Sequence, residues 1–130
     1  MIKVAAFALV GFIPACQADE TVARYGAAGV TWTLTTLNGA TFEPRATLEF
    51  EPGGPMSGQA PCNRFTATNS VPYPWFEAGP IAATKMACPD LDAETAYLGA
   101  LSLMTQSEVR GNTLFLRNDD GGEMVFTASE

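Results

Sequence analysis

The chain has 130 residues, with 7 basic and 14 acidic side chains, a net charge of −7 and no histidine. The length suits one domain, and a hydrophobic fraction of 47% suits a packed core. The acidic balance argues against binding nucleic acid or anionic lipid through a basic surface, and the missing histidine excludes a Ser-His-Asp triad, a Cys-His dyad and a His-ligated zinc.

The N-terminus has the pattern of an export signal. Lys3 supplies a positive charge, and an apolar run from Val4 to Ile13 follows. That run is too short to span a bilayer but fits the apolar region of a signal peptide. It ends at Ile13-Pro14-Ala15-Cys16, which resembles a bacterial lipobox and implies a signal peptide over residues 1–15 with Cys16 as a lipidated first mature residue. Plain secretion and a buried N-terminal strand are the alternatives. Cleavage before Cys16 would leave 115 of the 130 residues. With Lys3 lost from the 7 basic side chains against 14 acidic ones, the net charge becomes −8. Residues 16–29, small and Gly/Ala-rich, read as a tether, and residues 30–130 as the domain.

Within the domain, Thr31–Thr35 and Ala46–Phe50 alternate apolar and polar side chains, the period of half-buried strands. Asn38-Gly39 marks a tight turn between them. Pro52–Pro55 reads wholly as a turn, since proline disrupts a ladder. Short strands are expected over Met56–Gly58, Asn63–Ala67 and Ile81–Thr84, with residues 69–75 as a loop or an edge. One helix is expected over about 91–106, capped by Asp90 or Asp92. Asp92 and Glu94 suit its dipole, and Tyr97, Leu98, Leu101 and Met104 form its core stripe. Leu114–Leu116 and Met124–Phe126 flank a turn at Asn118–Gly122. The expected fold is α+β: a mostly antiparallel curved sheet or cracked β-barrel of six to eight short strands, with the helix against it.

Cys62 and Cys88 lie 26 residues apart and form an even pair once Cys16 is set aside. In an exported chain such a pair is a disulfide candidate, stabilising by roughly 3.5 kcal/mol in the chain-entropy model. A redox-active dithiol is the alternative, because Cys88 lies just ahead of the helix.

The motifs Trp32-Thr33-Leu34-Thr35-Thr36-Leu37-Asn38-Gly39, Thr47–Phe50, Ser57-Gly58-Gln59-Ala60-Pro61-Cys62-Asn63-Arg64-Phe65 and Thr84-Lys85-Met86-Ala87-Cys88-Pro89 occur in that order. Together they resemble the META domain, also called the heat-shock protein HslJ family, over about residues 30–127. Pro61 and Ala67 stand where the family usually has glycine. The resemblance implies a small α+β domain, often exported or lipid-anchored, with a fold similar to pilotin-type cracked barrels. It also implies links to heat shock, envelope stress and tolerance of antibiotics such as novobiocin, and no established enzymatic activity.

Two clusters are candidate partner-binding sites. Asn63, Arg64 and Lys85 neighbour the cysteines and would grip an anion or a carboxylate, unless Asn63 bonds the turn backbone and the two cations are merely solvated. Tyr73, Trp75 and Phe76 form an aromatic cluster suited to an interface hot spot, or else fold over an open barrel end. Asn118–Glu123 lacks the spacing of a calcium loop and reads as a hairpin turn. Glu49 and Glu51 lack an environment that would raise one pKa for glycosidase chemistry. No catalytic residue, metal or cofactor is expected. The leading reading is a monomeric, non-enzymatic envelope lipoprotein, anchored in the outer membrane through Cys16, facing the periplasm and binding an unknown envelope protein. Otherwise it is periplasmic or secreted. An inhibitor of lysozyme or a protease, and a carrier of an apolar ligand, are the alternatives.

Overall fold

A computed structural model of the chain describes residues 18–129. The expected signal peptide and the lipidation candidate Cys16 lie outside the described residues. Nine strands and one helix are present among those described, so the α+β expectation holds with more strands than the six to eight expected. The strands are β1 (Thr31–Leu37), β2 (Ala40–Thr41), β3 (Thr47–Phe50), β4 (Pro55–Gln59), β5 (Arg64–Thr68), β6 (Ala82–Ala83), β7 (Gln106–Arg110), β8 (Thr113–Arg117) and β9 (Glu123–Ser129); α1 is Leu91–Leu103. They form one antiparallel sheet in the order β6-β5-β4-β3-β1-β9-β8-β7, with β2 paired to the end of β1. Two meanders thus meet where β9 returns beside β1. The sheet is open and curved rather than a closed barrel, because β6 and β7 are not paired to each other.

Local chemistry accounts for most of these boundaries. Asn38 (φ 49°) and Gly39 (φ 81°) are both left-handed, as the two-residue turn joining β1 to β2 requires. Pro55 is a correction to the expected turn over residues 52–55. It opens β4 opposite Thr68, because a strand's first residue tolerates proline. Gly58 is irreplaceable for another reason: a Cβ there would fall 2.0 Å from the Thr47 carbonyl oxygen and 2.7 Å from the Phe65 ring.

The helix ends at Leu103, before the expected Gln106. Met104 turns to extended backbone (ψ 140°), and Gln106 already belongs to β7. Glu94, Tyr97 and Leu101 are its buried face, and Leu98 is only half-buried. Tyr97 sits deepest. Its ring packs edge-on against Phe65 and Phe126 at 5.7 and 6.4 Å, and its hydroxyl donates to the Thr47 carbonyl at 2.8 Å. Trp32, Leu34, Leu48, Leu114, Leu116 and Met124 fill the core around it.

The expected tether over residues 16–29 is corrected from Thr21 onward. Val22–Tyr25 forms a 3-10 turn, and Val22, Ala23 and Ala27 are buried in the core. The indole N–H of Trp32 donates to the Ala27 carbonyl at 2.9 Å. Small residues that look like linker composition serve here as close-packing side chains.

Candidate functional site

The two expected clusters fare differently. Cys62 and Cys88 form a disulfide with Cα atoms 5.6 Å apart, joining the loop before β5 to the loop before α1. Beside it Asn63 is 1% exposed. Its amide oxygen accepts from Met86 N at 2.6 Å and Thr84 Oγ1 at 2.9 Å. Its amide nitrogen donates to Met86 O at 3.0 Å and Glu94 Oε2 at 2.6 Å. Glu94 Oε1 also accepts from the backbone N–H groups of Cys62 and Asn63. Asn63 is therefore a structural tie and not the partner-binding residue expected, because a fully engaged, buried amide cannot reach a partner. Glu94 is likewise more than a dipole charge: its carboxylate is buried and holds the disulfide loop. Arg64 and Lys85 are exposed. They do not join Asn63 in a shared polar patch, since its side chain points inward.

The aromatic cluster divides as well. Phe76 is 3% exposed and packs edge-on against Phe50 at 6.5 Å, so it belongs to the core and not to an interface. Trp75, its neighbour, points the other way and is 55% exposed. Successive side chains of extended backbone face opposite sides, which explains the split. The segment is anchored on the outer edge of β7. Ser107 N donates to Pro74 O at 2.7 Å and Phe76 N to Thr105 O at 2.9 Å, making a bridge between Trp75 and Gln106. Val109 N donates to the Tyr73 hydroxyl oxygen at 3.3 Å. The Tyr73 ring stacks on exposed Tyr25, with centroids 4.7 Å apart and planes at 15°. Of the chain's 3 tyrosines and 2 tryptophans, only Trp32 and Tyr97 lie in the core; the rest gather along this edge.

A cleft of about 430 Å³ opens between this segment and the outer face of β7 and β8, with Trp75 on one wall and Phe115 and Arg117 on the other. The Arg117 guanidinium lies 4.5 Å from the Phe115 ring centre, and Arg110 lies 5.6 Å from it. Arg117 donates to Glu123 at 2.9 Å and to Glu108 at 3.0 Å, and Arg110 donates to Glu108 at 2.8 Å. Hydrogen bonds from Arg110 and then Arg117 hold the Glu108 carboxyl below its ordinary 4.5, while bonds to Glu123 and then Glu108 raise Arg117. Both groups stay charged, and the cleft carries balanced charge in a fixed array. Tyr25, Glu108, Arg110, Phe115 and Arg117 were not among the candidates from sequence. One signal was present: in Leu114-Phe115-Leu116-Arg117, alternation forces Phe115 to the face opposite the two leucines.

The remaining candidates are structural. Asn118 Oδ1 accepts from the N–H groups of Asp120 and Gly122, folding the β8–β9 turn. Glu49 bonds the Thr31 hydroxyl. Among the described residues no three Cys, Asp or Glu side chains converge as a metal site would need.

The family model described as META domain matches residues 26–130. No curated protein matches the chain. A protein from Burkholderia xenovorans solved by NMR is similar in fold, at 23% identity and TM-score 0.63, covering 83% of this chain and 87% of that one. A DUF4847 family protein from Bacteroides vulgatus, solved by crystallography, is similar at 16% identity and TM-score 0.62, covering 82% of this chain and 96% of that one.

Proposed function

This chain belongs to the META domain family, and from that premise we propose that it is a non-enzymatic lipoprotein of the bacterial cell envelope that acts by holding another protein at the Trp75 edge. One observation carries the reading: a tryptophan 55% exposed on a segment bonded to β7 at Ser107 and Val109 and to Thr105 just before it. A large apolar ring kept in water on a fixed support is what a binding hot spot needs, and Tyr, Trp and Arg are the residue types enriched there. All three types meet here.

Two further observations favour contact over chemistry. The shifted carboxylates, Asp19 and Glu108, are both moved downward, whereas a general acid needs its pKa raised toward the working pH. The space between helix and sheet is filled by Tyr97, Trp32, Phe65 and Phe126, which disfavours a carrier of an apolar ligand. Anchoring through Cys16 and a part in envelope stress or antibiotic tolerance belong to the same proposal.

The test is a photo-reactive phenylalanine analogue placed at position 75 in living cells, with position 49 as the control. The expected outcome is one discrete protein adduct from position 75, in the membrane fraction, and none from position 49. No adduct from position 75, or the same adducts from both, overturns the reading.

A further inference from the structure

The two edges of the sheet end differently. At the β7 edge the Tyr73–Phe76 segment accepts from Ser107 N and bridges Trp75 to Gln106, so that edge is covered. At the β6 edge no described strand pairs on the outer side. Residues 82–87 are all exposed there.

The open edge is longer than the two residues of β6. Ala82 lies opposite Thr66 and Ala83 opposite Phe65, and Thr84 N donates to Arg64 O at 3.1 Å. Continuing that register would set Met86 opposite Cys62. The Asn63 side chain takes the place of that strand residue. Its amide accepts from Met86 N at 2.6 Å and donates to Met86 O at 3.0 Å, the two bonds that a hydrogen-bonded ladder pair exchanges. Backbone groups alternate in direction along an antiparallel strand. With Thr84 and Met86 turned inward, the N–H and C=O groups of Ala83 and Lys85 face the open side, and among the described residues nothing bonds them.

Such an edge is a template for a further strand, and the side chains around it select what that strand carries. Arg64 alternates with buried Phe65 and so projects from the outer face of the sheet. Lys85 lies in a groove of about 540 Å³ against the start of α1, with Ile81, Met86 and Leu91. Both cations are exposed, and among the described residues neither makes an ion pair. Glu94 also lines the groove, but its carboxylate is buried and engaged by three N–H donors. Asp90 and Asp92 do not line it. A second copy as occupant would set two chains of charge −7 edge to edge, which repulsion opposes.

We infer that the Ile81–Met86 edge takes up an extended, acidic segment of a partner protein as an added strand. Its carboxylates meet Arg64 and Lys85, and its apolar side chains meet the groove at Met86 and Leu91. The site lies at the opposite edge from Trp75 and stands independently of the contact proposed there.

The test is calorimetric titration of the full chain with a capped octapeptide of alternating Glu and Val, and with the same peptide carrying Lys in place of Glu. The Glu-Val peptide is expected to bind with Kd below about 1 mM, and the Lys-Val peptide not to bind. Ala83→Pro separates strand addition from charge attraction. It removes an N–H that points to solvent, which an edge strand tolerates, so the urea midpoint should hold while binding weakens at least about tenfold. Lys85→Glu, at an exposed site, should weaken binding as much. Absence of Glu-Val binding overturns the inference and leaves Pro80 and Lys85 as residues that blunt the edge. Equal binding of the Lys-Val peptide, or full binding by a folded Ala83→Pro variant, overturns it as well. A dimer that Ala83→Pro dissolves overturns it and gives the edge to a second copy. If Ala83→Pro does not fold, Lys85→Glu decides, and full binding by that variant overturns the inference.

Discussion

Glu94 and Asn63, 31 residues apart, are joined twice: the Glu94 carboxylate accepts from the Asn63 backbone N–H at 2.7 Å and from its side-chain amide at 2.6 Å. A third bond, from Cys62 N at 2.9 Å, completes the set. Among the described residues no lysine or arginine bonds this carboxylate. Three N–H donors replace its water instead, which is how a buried charge is made tolerable. The Cys62–Cys88 disulfide ties the same two segments covalently, so the start of α1 is fastened to the loop before β5 by two means.

Glu94→Ala removes the acceptor of three buried donors at once. Each unsatisfied buried group costs about 1–3 kcal/mol, so the variant is expected to lose roughly 3 kcal/mol or more in urea unfolding. Asp92→Ala is the control, since Asp92 is exposed and a charge near a helix N-terminus contributes about 0.3–1 kcal/mol. Equal losses in the two variants would remove the tying role assigned to Glu94.

The disulfide should make its own contribution. Replacing both Cys62 and Cys88 by serine is expected to lower unfolding free energy by roughly 3.5 kcal/mol, the chain-entropy value for a loop of this length. Because Glu94 fastens the same loops, the effects should couple. Combined with Glu94→Ala, the loss should exceed the sum of the separate losses by at least about 0.5 kcal/mol. Intact mass after alkylation without reduction checks the bond directly: Cys62 and Cys88 should stay unmodified. The same spectrum reports whether Cys16 carries acyl chains.

Legibility in the sequence followed the range of the interaction. The period-2 runs of β1 and β3, the Asn38-Gly39 turn, the helix around Tyr97 and Leu101 and the cysteine pair are local or countable signals, and each reappears in the fold. Glu94 looked like an ordinary first-turn acid because its partners lie 31 and 32 residues away. Strand β7 was hidden because its inward residue is Ser107, 4% exposed and bonded to Pro74 O, where a strand pattern would show an apolar side chain. Residues 21–28 were hidden because alanine and glycine serve a linker and a tight core equally well. The aromatic cluster was visible as a cluster. Which ring faced water depended on the anchoring of Pro74 and Phe76 to β7, a long-range fact.

The two tryptophans offer a clean optical test of that arrangement. Trp75 is 55% exposed and Trp32 is 1% exposed with its indole bonded to Ala27 O. Acrylamide should quench only the Trp75 part of the emission. Trp75→Phe is expected to abolish nearly all quenching with little change in stability, within about 0.5 kcal/mol for an exposed site. Trp32→Phe should leave quenching intact and cost about 2 kcal/mol or more, through a lost buried hydrogen bond and a residual cavity. Quenching that survives Trp75→Phe would mean the core around Trp32 is open to solvent.

Stability should fall toward both ends of the pH scale, for different reasons. Hydrogen bonds from Arg110 and Arg117 hold Glu108 below its ordinary 4.5 in the folded state. Burial acts to raise Asp19, but bonds from Thr21 and Gly53 outweigh it and hold that group below 3.8. A depressed carboxyl binds fewer protons folded than unfolded, so its contribution is complete above the unfolded value and is lost as pH falls through the folded one. Acid destabilisation should therefore begin below about pH 4.5, and Glu108→Gln should flatten that limb. Tyr97 has the opposite sign. Burial pushes its hydroxyl well above the ordinary 10.0, so its contribution is complete below pH 10.0 and is lost as the unfolded chain ionises above it. Urea midpoints measured across pH should show a plateau between about pH 5 and pH 9, with the alkaline fall removed in Tyr97→Phe. An acid limb unchanged in Glu108→Gln would show that the Arg110–Glu108–Arg117 array does not persist in solution, and the fixed wall of the Trp75 cleft would go with it.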